Sequence, residues 1–483
     1  MELFGYQNEA VDFIGHTRKA YIALDMGMGK TITSLSAGKE LAKKNILVIA
    51  EKNEIVNSEN FRKEVKLLGD RWDYVNLRES DVPPPPADGG DMRFVCGINP
   101  DGLKKIPLKQ ILGSFDFVII DEATMAKTTT TARFRLVRKV CDMMPYVVLL
   151  SGTPMMNGAS ELWSPLLLLE HPMIGEGKAE DRKAFEKIFA GGCMKQMKKL
   201  PEGMTVKEGY AHPRYRHTHF QWWAKGANRV RELRWLLRDK FFIMQKGQTD
   251  VFKKKTRTTE NVPMTLEWLA EYTQAWDEYF ATQQKTRSKK TIENITELRN
   301  LIENGKMYQV NSKWKARTVA MRAVQMAKEH RVVIFSLFIE TEEVLKAELT
   351  RYGVAWRTFD DIKEWKLGNE PVLLGRIKAH GKGGNVPEAS MVVMVDMDFV
   401  PANNLQAENR IDRPDQKRDM KMVYYITEGD DVIDAHVRNI VKDKARKIEE
   451  FMRPFTEEEL KEMPAKIVEL RAKYPRECAR LGI

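Results

Sequence analysis

The sequence predicts an α/β protein with two parallel-sheet domains, a helical insertion between them and a helical C-terminal tail. Short apolar runs alternate with helical patterns over residues 1–170 and again over residues 313–440, which is typical of doubly wound parallel sheets. Between them, residues 171–312 lose the β-branched runs and carry charged helical stretches that contain Trp and Met. The last residues, 441–483, are charged and helical, so we expect a brace or a docking helix there.

Individual strands are predicted where a short apolar run ends in polar or small residues. In the first domain these runs are residues 46–50, 115–120 and 146–150. In the second domain they are residues 332–335, 372–374, 391–395 and 422–426. A glycine-rich loop is found in the first domain and has no counterpart in the second, so the two domains are expected to contribute different groups to a shared site.

The glycine-rich loop, Leu24–Thr31, has the composition of a phosphate-binding loop. Gly27 and Gly29 let the backbone bend so that its N–H groups point at phosphate oxygens. Lys30 supplies a positive charge for the β- and γ-phosphates, and the hydroxyl of Thr31 is suited to hold Mg²⁺. The loop therefore predicts binding of a nucleoside triphosphate with a magnesium ion.

A carboxylate pair, Asp121 and Glu122, ends the predicted strand at residues 115–120. Asp121 is suited to complete the metal site, and Glu122 is suited to activate a water molecule for attack on phosphorus. Together with the loop, the pair predicts a nucleoside triphosphatase. A nucleotide held in a cleft between two such domains would open and close the cleft as it is hydrolysed.

Composition bounds the class of protein. The 483 residues suffice for two to four domains, and 43% of them are hydrophobic. No run of 18 apolar residues is present and the N-terminus does not read as a secretory signal, so we expect neither a membrane span nor export. The cysteines are scattered without metal-binding spacing, which favours a reducing, cytoplasmic setting; they are Cys96, Cys141, Cys193 and Cys478.

Positive charge is concentrated in one segment. The chain has a net charge of +11, and residues 212–257 contain 13 Lys and Arg against 3 Asp and Glu. A polyanionic partner is the simplest explanation, and a solvated basic helix face is the alternative.

The order of motifs in the first domain resembles that of helicase-superfamily-2 ATPases, and within them the Swi/Snf-type DNA translocases. Gln7 matches the glutamine motif that reads adenine, ahead of the phosphate loop. Asp121-Glu122-Ala123-Thr124 is similar to the family's DEAH/DEAD-type box. Ser151-Gly152-Thr153-Pro154 resembles the coupling motif, so the resemblance implies that Ser151 and Thr153 relay the state of the γ-phosphate to DNA.

The second domain carries two further motifs of this family. Residues 379–386 resemble the glycine-rich loop that couples DNA and nucleotide, and this assigns roles to Gly383 and Asn385. Residues 406–413 resemble the QxxxRxxR motif, so Gln406 is expected at the nucleotide and Arg410 and Arg413 are expected as arginine fingers. On a helix the two arginines would share one face, and planar guanidinium groups suit developing phosphoryl charge.

Several positions depart from the family pattern. Leu24 stands where the phosphate-loop motif has glycine, and His380 stands where glycine is usual in the coupling loop. Ala50 replaces a common proline, and Phe61 and Phe399 replace common tryptophans. No chromatin-reader, histone-binding or nuclease segment is visible in the sequence, which favours a phage-encoded or bacterial relative.

The basic segment carries the candidate DNA contacts. Basic residues there bind phosphates regardless of sequence, and aromatic residues can stack on exposed bases. Trp222 and Trp223 are candidates for a wedge at a DNA junction, with helix core as the alternative, while Trp235 is expected in the core. Among the basic residues, Arg229 and Arg231 are the predicted contacts to DNA.

The function predicted is that of an ATP- and Mg²⁺-dependent helicase or translocase on duplex, forked or junction DNA, in replication, recombination or repair. We expect it to work as a monomer in the cytoplasm of a bacterial or phage-infected cell. An RNA helicase of the same superfamily and a nucleic-acid clamp with an idle ATPase are the alternatives. Stimulation of ATP hydrolysis by DNA against RNA discriminates between them.

Overall fold

A computed structural model describes residues 2–50, 59–86, 92–123, 128–156, 158–196, 200–201, 204–212, 218–224, 226–283, 306–381, 384–429 and 432–483. The chain forms two compact units. Unit 1 contains residues 1–248 and 447–483, and unit 2 contains residues 249–446. Each unit has its own hydrophobic core around its own parallel sheet.

Unit 1 is built on a seven-stranded sheet with the order β3-β4-β2-β5-β6-β1-β9, in which every pairing is parallel. A separate antiparallel pair is formed by β7 and β8. The strands are β1 (Lys19–Leu24), β2 (Asn45–Ala50), β3 (Trp72–Asn76), β4 (Arg93–Ile98), β5 (Phe115–Asp121), β6 (Tyr146–Leu150), β7 (Cys193–Gln196), β8 (Phe220–Trp223) and β9 (Phe241–Met244).

Helices cover the sheet of unit 1, as parallel strands require, because each crossover returns the chain to the same end of the sheet. They are α1 (Gly5–Thr17), α2 (Lys30–Leu41), α3 (Glu59–Lys66), α4 (Pro100–Leu103), α5 (Leu108–Ser114), α6 (Ala132–Met143), α7 (Trp163–Leu168), α8 (Ala179–Phe189), α9 (Val206–Ala211) and α10 (Val230–Leu237). The central strands β2, β5 and β6 are almost wholly buried, as expected for a sheet covered on both faces.

Unit 2 contains a six-stranded parallel sheet with the order β10-β15-β14-β11-β13-β12. Its strands are β10 (Lys255–Val262), β11 (Val332–Ser336), β12 (Trp356–Thr358), β13 (Val372–Arg376), β14 (Met391–Met394) and β15 (Met420–Thr427). Its helices are α11 (Leu266–Gln283), α12 (Lys306–Glu329), α13 (Ile339–Arg351), α14 (Ile362–Leu367), α15 (Ile377–His380) and α16 (Pro401–Glu408). The α/β class with two parallel-sheet lobes is thereby confirmed.

The segment 171–312, expected to be helical, also supplies strands. β9 is an edge strand of the unit 1 sheet, and β10 is an edge strand of the unit 2 sheet. The pattern of β10, which is rich in Lys, Arg and Thr and mostly exposed, is typical of an edge and gives no apolar run in the sequence. Only ten residues join these two edge strands, from Gln245 to Lys254.

The C-terminal residues form α17 (Ile433–Met452), α18 (Glu457–Lys473) and α19 (Pro475–Arg480). Thr456 caps the N-terminus of α18. Its hydroxyl accepts a hydrogen bond from the Glu459 N–H, and the Glu459 carboxylate accepts one from the Thr456 N–H. From Lys447 onward these helices belong to unit 1. Among the helices that the structure describes, none has the length and apolar character needed to cross a lipid bilayer.

Candidate active site

The phosphate loop connects β1 to α2. Gly27 and Gly29 have φ angles of 87° and 76°, a region that glycine occupies without steric cost. Gly29 is the residue before the first turn of α2, so free backbone N–H groups and the positive end of the helix face the loop. Thr31 lies in that first turn, as magnesium coordination beside a bound phosphate requires.

Gln7 lies directly against this loop. Its side-chain amide nitrogen donates to the Met28 carbonyl at 3.1 Å, and its amide oxygen accepts from the Phe4 N–H at 3.0 Å. The Tyr6 hydroxyl donates to the same Met28 carbonyl at 3.1 Å. A Cβ atom on Gly29 would lie 2.5 Å from the Gln7 amide nitrogen, so glycine is needed there for the two elements to touch. Gln7 therefore holds the loop, and in this structure both ends of its amide are engaged.

Lys30 reaches back over the loop. Its ammonium group donates to the carbonyls of Leu24 and Asp25, at 2.9 and 3.2 Å. Asp25 is itself fixed by the edge strand β9, because its carboxylate accepts from the Lys246 N–H at 3.0 Å and its N–H donates to the Met244 carbonyl. The lysine is thus held at the centre of the loop, where a phosphate would replace the carbonyl contacts.

Asp121 and Glu122 lie at the carboxyl end of β5. The strands β5, β6 and β1 are neighbours in the sheet, so their carboxyl ends, and the residues that follow them, share one edge. Burial, together with the negative charge of Glu122, raises the pKa of Asp121 to about 6, while the charge of Lys30 acts in the opposite direction. Glu122 has a φ of 54°, an unusual backbone conformation for a residue with a side chain, and such strain occurs at functional sites.

Ser151 follows β6 and contacts this pair. Its hydroxyl donates to the Glu122 carboxylate at 3.4 Å and accepts from the Thr153 N–H at 3.2 Å. A Cβ atom on Gly152 would lie 3.2 Å from the Lys30 ammonium nitrogen, so the coupling motif passes beside the phosphate loop. Ser151 and Thr153 are buried, which fixes their orientation. The three motifs predicted for the first domain therefore meet at one edge of the sheet.

The residues fit a magnesium ion held jointly with phosphate. A buried carboxylate next to a second one favours a cation, and the Thr31 hydroxyl with the Asp121 carboxylate forms the oxygen donor set that Mg²⁺ prefers. Within the described residues, no cluster of three or more His, Cys, Asp or Glu side chains is placed to hold a metal alone. Mg²⁺ in nucleotide sites is usually bound by one or two protein oxygens and by substrate phosphates.

Replacing Asp121 with asparagine is expected to stabilise unit 1 in metal-free buffer at pH 8. Because the pKa of Asp121 in the folded protein, about 6, lies above its ordinary value of 3.8, ionisation above pH 6 costs folding free energy. Asp121→Asn should raise the melting temperature by about 2–4 °C at pH 8 and by less at pH 5. Thermal melts of the variant, of the wild type and of the exposed control Asp70→Asn measure this; an equal shift at both pH values would contradict it.

Arg410 and Arg413 lie in a turn rather than on a helix, which corrects the sequence-based expectation. α16 ends at Glu408, and Pro414 follows Arg413. Proline has no N–H to donate and disfavours helical geometry in the preceding residue, so the helix cannot continue through this motif. The Arg410 Nε donates to the Gln406 carbonyl at 3.1 Å, which bends its side chain back along the helix end.

These two arginines carry positive charge that is buried at Arg410 and half-buried at Arg413. Burial, together with the charge of Arg413, lowers the pKa of Arg410 to about 9; burial also lowers the pKa of Arg413, while the charges of Asp412 and Asp415 act in the opposite direction. Within the described residues neither arginine forms an ion pair with a carboxylate, and the Nε of Arg413 is buried without a hydrogen-bond partner. Buried positive charge without an ion-pair partner, most complete at Arg410, favours an anionic ligand. Gln406, from the same motif, is also buried.

The coupling loop of the second domain is described in part. Gly383 lies outside the described residues, and Asn385 is exposed beside Gly384, whose φ is 65°. His380, the departure from the family pattern, stacks on Phe359 with ring centroids 5.3 Å apart, and its Nδ1 accepts from the Arg376 N–H at 2.9 Å. The histidine thus packs in unit 2.

Trp222 and Trp223 lie on β8, which pairs with β7. The Trp222 indole donates to the Glu186 carboxylate at 2.7 Å, while the Lys195 ammonium group lies 4.7 Å from the centroid of the Trp223 ring. Trp222 is therefore anchored to α8, whereas Trp223 lies against Lys195, and both indoles are partly buried. Arg229 contacts Glu232 at 3.3 Å.

Arg231 is engaged inside unit 1. It is 7% exposed, it pairs with Glu459 at 2.8 Å, and it donates to the carbonyls of Glu450, Arg453 and Pro454 at the end of α17. A cation near the C-terminal end of a helix is stabilising. This placement favours an anchor for the C-terminal helices over the predicted DNA contact.

Arg231→Ala is expected to lower the free energy of unfolding of unit 1 by about 2–4 kcal/mol, because it leaves buried carbonyls and a carboxylate without their donor. Chemical denaturation measures this, with Arg238→Ala as control since the Arg238 side chain is 48% exposed. A variant with unchanged stability but weakened DNA binding would restore the contact role.

Sequence reasoning assigned no role of their own to two residues of this neighbourhood. Tyr6 shares the Met28 carbonyl with Gln7. Glu64, on α3, has a pKa raised to about 7 by burial and by the negative charge of Asp121, which places a further carboxyl group near the predicted metal ligand. Glu64 stands in a strongly charged helix, so its sequence gives no signal that distinguishes it from a solvated glutamate.

Two family models match the chain. The SNF2-related domain matches residues 102–307, and the model named Type III restriction enzyme, res subunit, matches residues 1–156.

Curated relatives are similar over most of the chain. The SWI/SNF-related matrix-associated actin-dependent regulator of chromatin subfamily A-like protein 1 of Drosophila melanogaster is 24% identical over 68% of this chain and 40% of the relative. Its namesake from Xenopus laevis is 22% identical over 92% of this chain and 43% of the relative. The ATP-dependent helicase FUN30 of Saccharomyces cerevisiae is 22% identical, over 68% of this chain and 35% of the relative.

The chain therefore spans about two fifths of the length of these relatives. Among solved structures, the SWI2/SNF2 ATPase core of Sulfolobus solfataricus in complex with dsDNA aligns with a TM-score of 0.40 and 16% identity, over 94% of this chain and 98% of that one. This chain is thus similar to an SNF2-related domain and to a restriction-enzyme subunit over parts of its length, and to proteins named as a helicase and as chromatin regulators over most of it.

Proposed function

We propose that this protein is an ATP-dependent DNA translocase. The observation that carries the proposal is the meeting of Lys30, Asp121, Glu122 and Ser151 at one edge of the unit 1 sheet. A phosphate-binding lysine, a metal-binding carboxylate, a base for water and a hydroxyl in contact with that base form a complete set for hydrolysis of a nucleoside triphosphate.

Each residue has a role in the proposed reaction. Lys30 and the backbone N–H groups of the loop bind the phosphates, and Thr31 and Asp121 would hold Mg²⁺, which neutralises phosphate charge. Glu122 orients the attacking water and accepts its proton. Arg410 and Arg413 are proposed to stabilise the charge that develops on the γ-phosphate, since Arg410 is buried, Arg413 is half-buried, and neither forms an ion pair with a carboxylate among the described residues.

Ser151 is proposed to link hydrolysis to movement. Its hydroxyl contacts Glu122 on one side and the Thr153 N–H on the other, so a change at the γ-phosphate alters the backbone that follows β6. Asn385 and Gly383, in the coupling loop of the second domain, are proposed to take the corresponding part in unit 2.

DNA is the proposed partner for two reasons. Positive charge is concentrated in residues 212–257. Relatives named as a helicase and as a chromatin regulator are similar in sequence to this chain over 68% of its length. Trp223 is the proposed stacking residue, supported by its place beside Lys195 on a two-stranded ribbon. Forked or four-way DNA, in replication, recombination or repair, is the proposed target. The effect of Trp223→Ala on ATP hydrolysis stimulated by forked and four-way DNA tests this target.

The oligomeric state and the cellular location are also proposals. We propose a single chain as the active form, working in the cytoplasm of a bacterium or of a phage-infected cell. The curated relatives quoted above are eukaryotic. Light scattering with DNA and ATP tests the stoichiometry.

The substrate class is tested by steady-state ATP hydrolysis without nucleic acid and with single-stranded DNA, linear duplex, forked DNA, a four-way junction and RNA. Lys30→Ala provides the blank, and Lys39→Ala, at an exposed position on the same helix, is the matched control. Greater stimulation by forks or junctions than by linear duplex supports the branched-DNA target. Equal stimulation by every duplex would exclude a preference for branched DNA. Stimulation by RNA alone would mean that the nucleic-acid partner is RNA and not DNA.

A further inference from the structure

The arginine-bearing turn of unit 2 is flanked by two acidic residues. Glu408 is two residues before Arg410, and Asp412 is directly before Arg413. Both carboxylates are buried, with side-chain exposures of 0% and 2%. A buried carboxylate this close in sequence to a buried arginine is a natural ion-pair partner for it. Both carboxylates instead form ion pairs with cations of β10, although the charge of Asp412 also acts on Arg413.

Arg257 binds Glu408 with a two-pronged contact. The guanidinium Nε donates to both carboxylate oxygens at 2.8 and 3.1 Å, and a terminal nitrogen donates at 2.7 Å. The Tyr424 hydroxyl donates to the same carboxylate at 2.7 Å. Although burial opposes both charges, these contacts lower the pKa of Glu408 and raise the pKa of Arg257. The geometry is that of a strong, directional charge pair.

Lys255 forms an ion pair with Asp412. Its ammonium group lies 2.8 Å from the Asp412 carboxylate and 3.6 Å from that of Glu408. Lys255 and Arg257 are two residues apart on one strand, so their side chains leave the same face of β10. A single strand face therefore carries both cations to the two acidic neighbours of the arginines.

We propose that Arg257 and Lys255 are positioning residues for ATP hydrolysis: they occupy the carboxylates of Glu408 and Asp412 and so keep Arg410 and Arg413 available to an anionic phosphate. The proposal rests on the proposed function, since it assigns the two arginines to the γ-phosphate. With the cations of β10 removed, each freed carboxylate would turn to its neighbouring arginine and neutralise it before ATP arrives.

The test compares Arg257→Gln with the wild-type protein. We expect kcat for DNA-stimulated ATP hydrolysis to fall about 10–100-fold with KM for ATP little changed, and the melting temperature to fall because the buried Glu408 carboxylate loses its bidentate partner. The matched control is Glu260→Gln on the same strand, whose partner is Arg322, at 2.8 Å. That variant loses a more exposed ion pair on the same strand, with side-chain exposures of 45% for Glu260 and 37% for Arg322, and it should keep the wild-type kcat.

The double variant Arg257→Gln/Glu408→Gln separates positioning from packing. If freed Glu408 is the cause of the loss, removing its charge restores kcat at least tenfold over the single variant. A double variant no faster than the single one overturns the proposal. Lys255→Gln, compared with Lys255→Gln/Asp412→Asn, gives the same test at the second pair and serves if Arg257→Gln does not fold.

A binding measurement is independent of turnover. Calorimetry with ADP and with ADP plus aluminium fluoride, a mimic of the transferring phosphoryl group, should show that Arg257→Gln loses the extra affinity for the mimic while binding ADP as the wild type does. Retained extra affinity contradicts the positioning role. A wild-type protein without ATPase activity above the Lys30→Ala blank defeats the proposed function itself, and with it this inference; an active wild type with an equally active Arg257→Gln defeats the inference alone.

Discussion

Glu122→Gln should bind ATP as tightly as the wild type and hydrolyse it about 10²–10⁴-fold more slowly. The amide keeps the shape of the side chain and the contact with the Ser151 hydroxyl, which lies 3.4 Å from the carboxylate, but it cannot take a proton from water. Its effect therefore falls on kcat, because the ground-state contacts of ATP with the phosphate loop are unchanged.

The measurement is single-turnover hydrolysis together with equilibrium binding of a fluorescent ATP analogue. Glu40→Gln, at an exposed position on α2, is the control for loss of a carboxylate in unit 1. An unaltered rate for Glu122→Gln would remove Glu122 from the reaction and would turn attention to Glu64, the other carboxyl group near Asp121.

Arg410→Ala should lower kcat about 10³–10⁵-fold, which is the range of an arginine that stabilises phosphoryl charge. Arg410 is 8% exposed and has no carboxylate partner among the described residues, so its removal is expected to cost little folding stability and to relieve charge repulsion with Arg413. A large loss of activity with retained or increased folding stability would indicate that the side chain of Arg410 serves ligand binding and not the stability of the fold.

Arg410→Lys tests whether charge alone suffices. Lysine keeps the positive charge but lacks the planar guanidinium, so we expect it to recover only a small part of the rate. Arg418→Ala, at an exposed position a few residues further on, is the control and should hydrolyse ATP normally. Equal rates for Arg410→Ala and the control would exclude Arg410 from transition-state stabilisation.

Much of the fold was predictable because buried parallel strands are continuous apolar runs. The predicted run 46–50 coincides with β2, 115–120 with β5 and 146–150 with β6, and the run 332–335 coincides with β11. The phosphate loop was predictable for a related reason, since its glycines and its lysine have no other common use in that order after a strand.

Edge strands and anchors were less predictable, because their residues resemble surface residues. The sequence of β10 looks like a charged loop, yet it pairs with β15 along its whole length, and its Arg257 and Lys255 bind buried carboxylates. Arg231 looks like a DNA-binding arginine and instead anchors the end of α17. In both cases the partner is more than 150 residues away, so no local pattern indicates it.

The turn that carries Arg410 and Arg413 shows a further limit. Spacing predicted a shared helix face, while the helix ends at Glu408, six residues before Pro414, and both arginines lie beyond it. The local rule for proline was available in the sequence, and it outweighs the spacing argument because a helix cannot continue into the residue before proline without steric cost.

ATP-driven movement along duplex DNA is tested most directly by displacement of a third strand from a DNA triplex. The wild-type protein should displace the third strand with ATP and Mg²⁺, and should fail with a non-hydrolysable analogue. Lys30→Ala should fail with ATP, whereas Lys39→Ala should behave as the wild type. DNA-stimulated ATP hydrolysis by the wild type without any displacement of the third strand would contradict translocation.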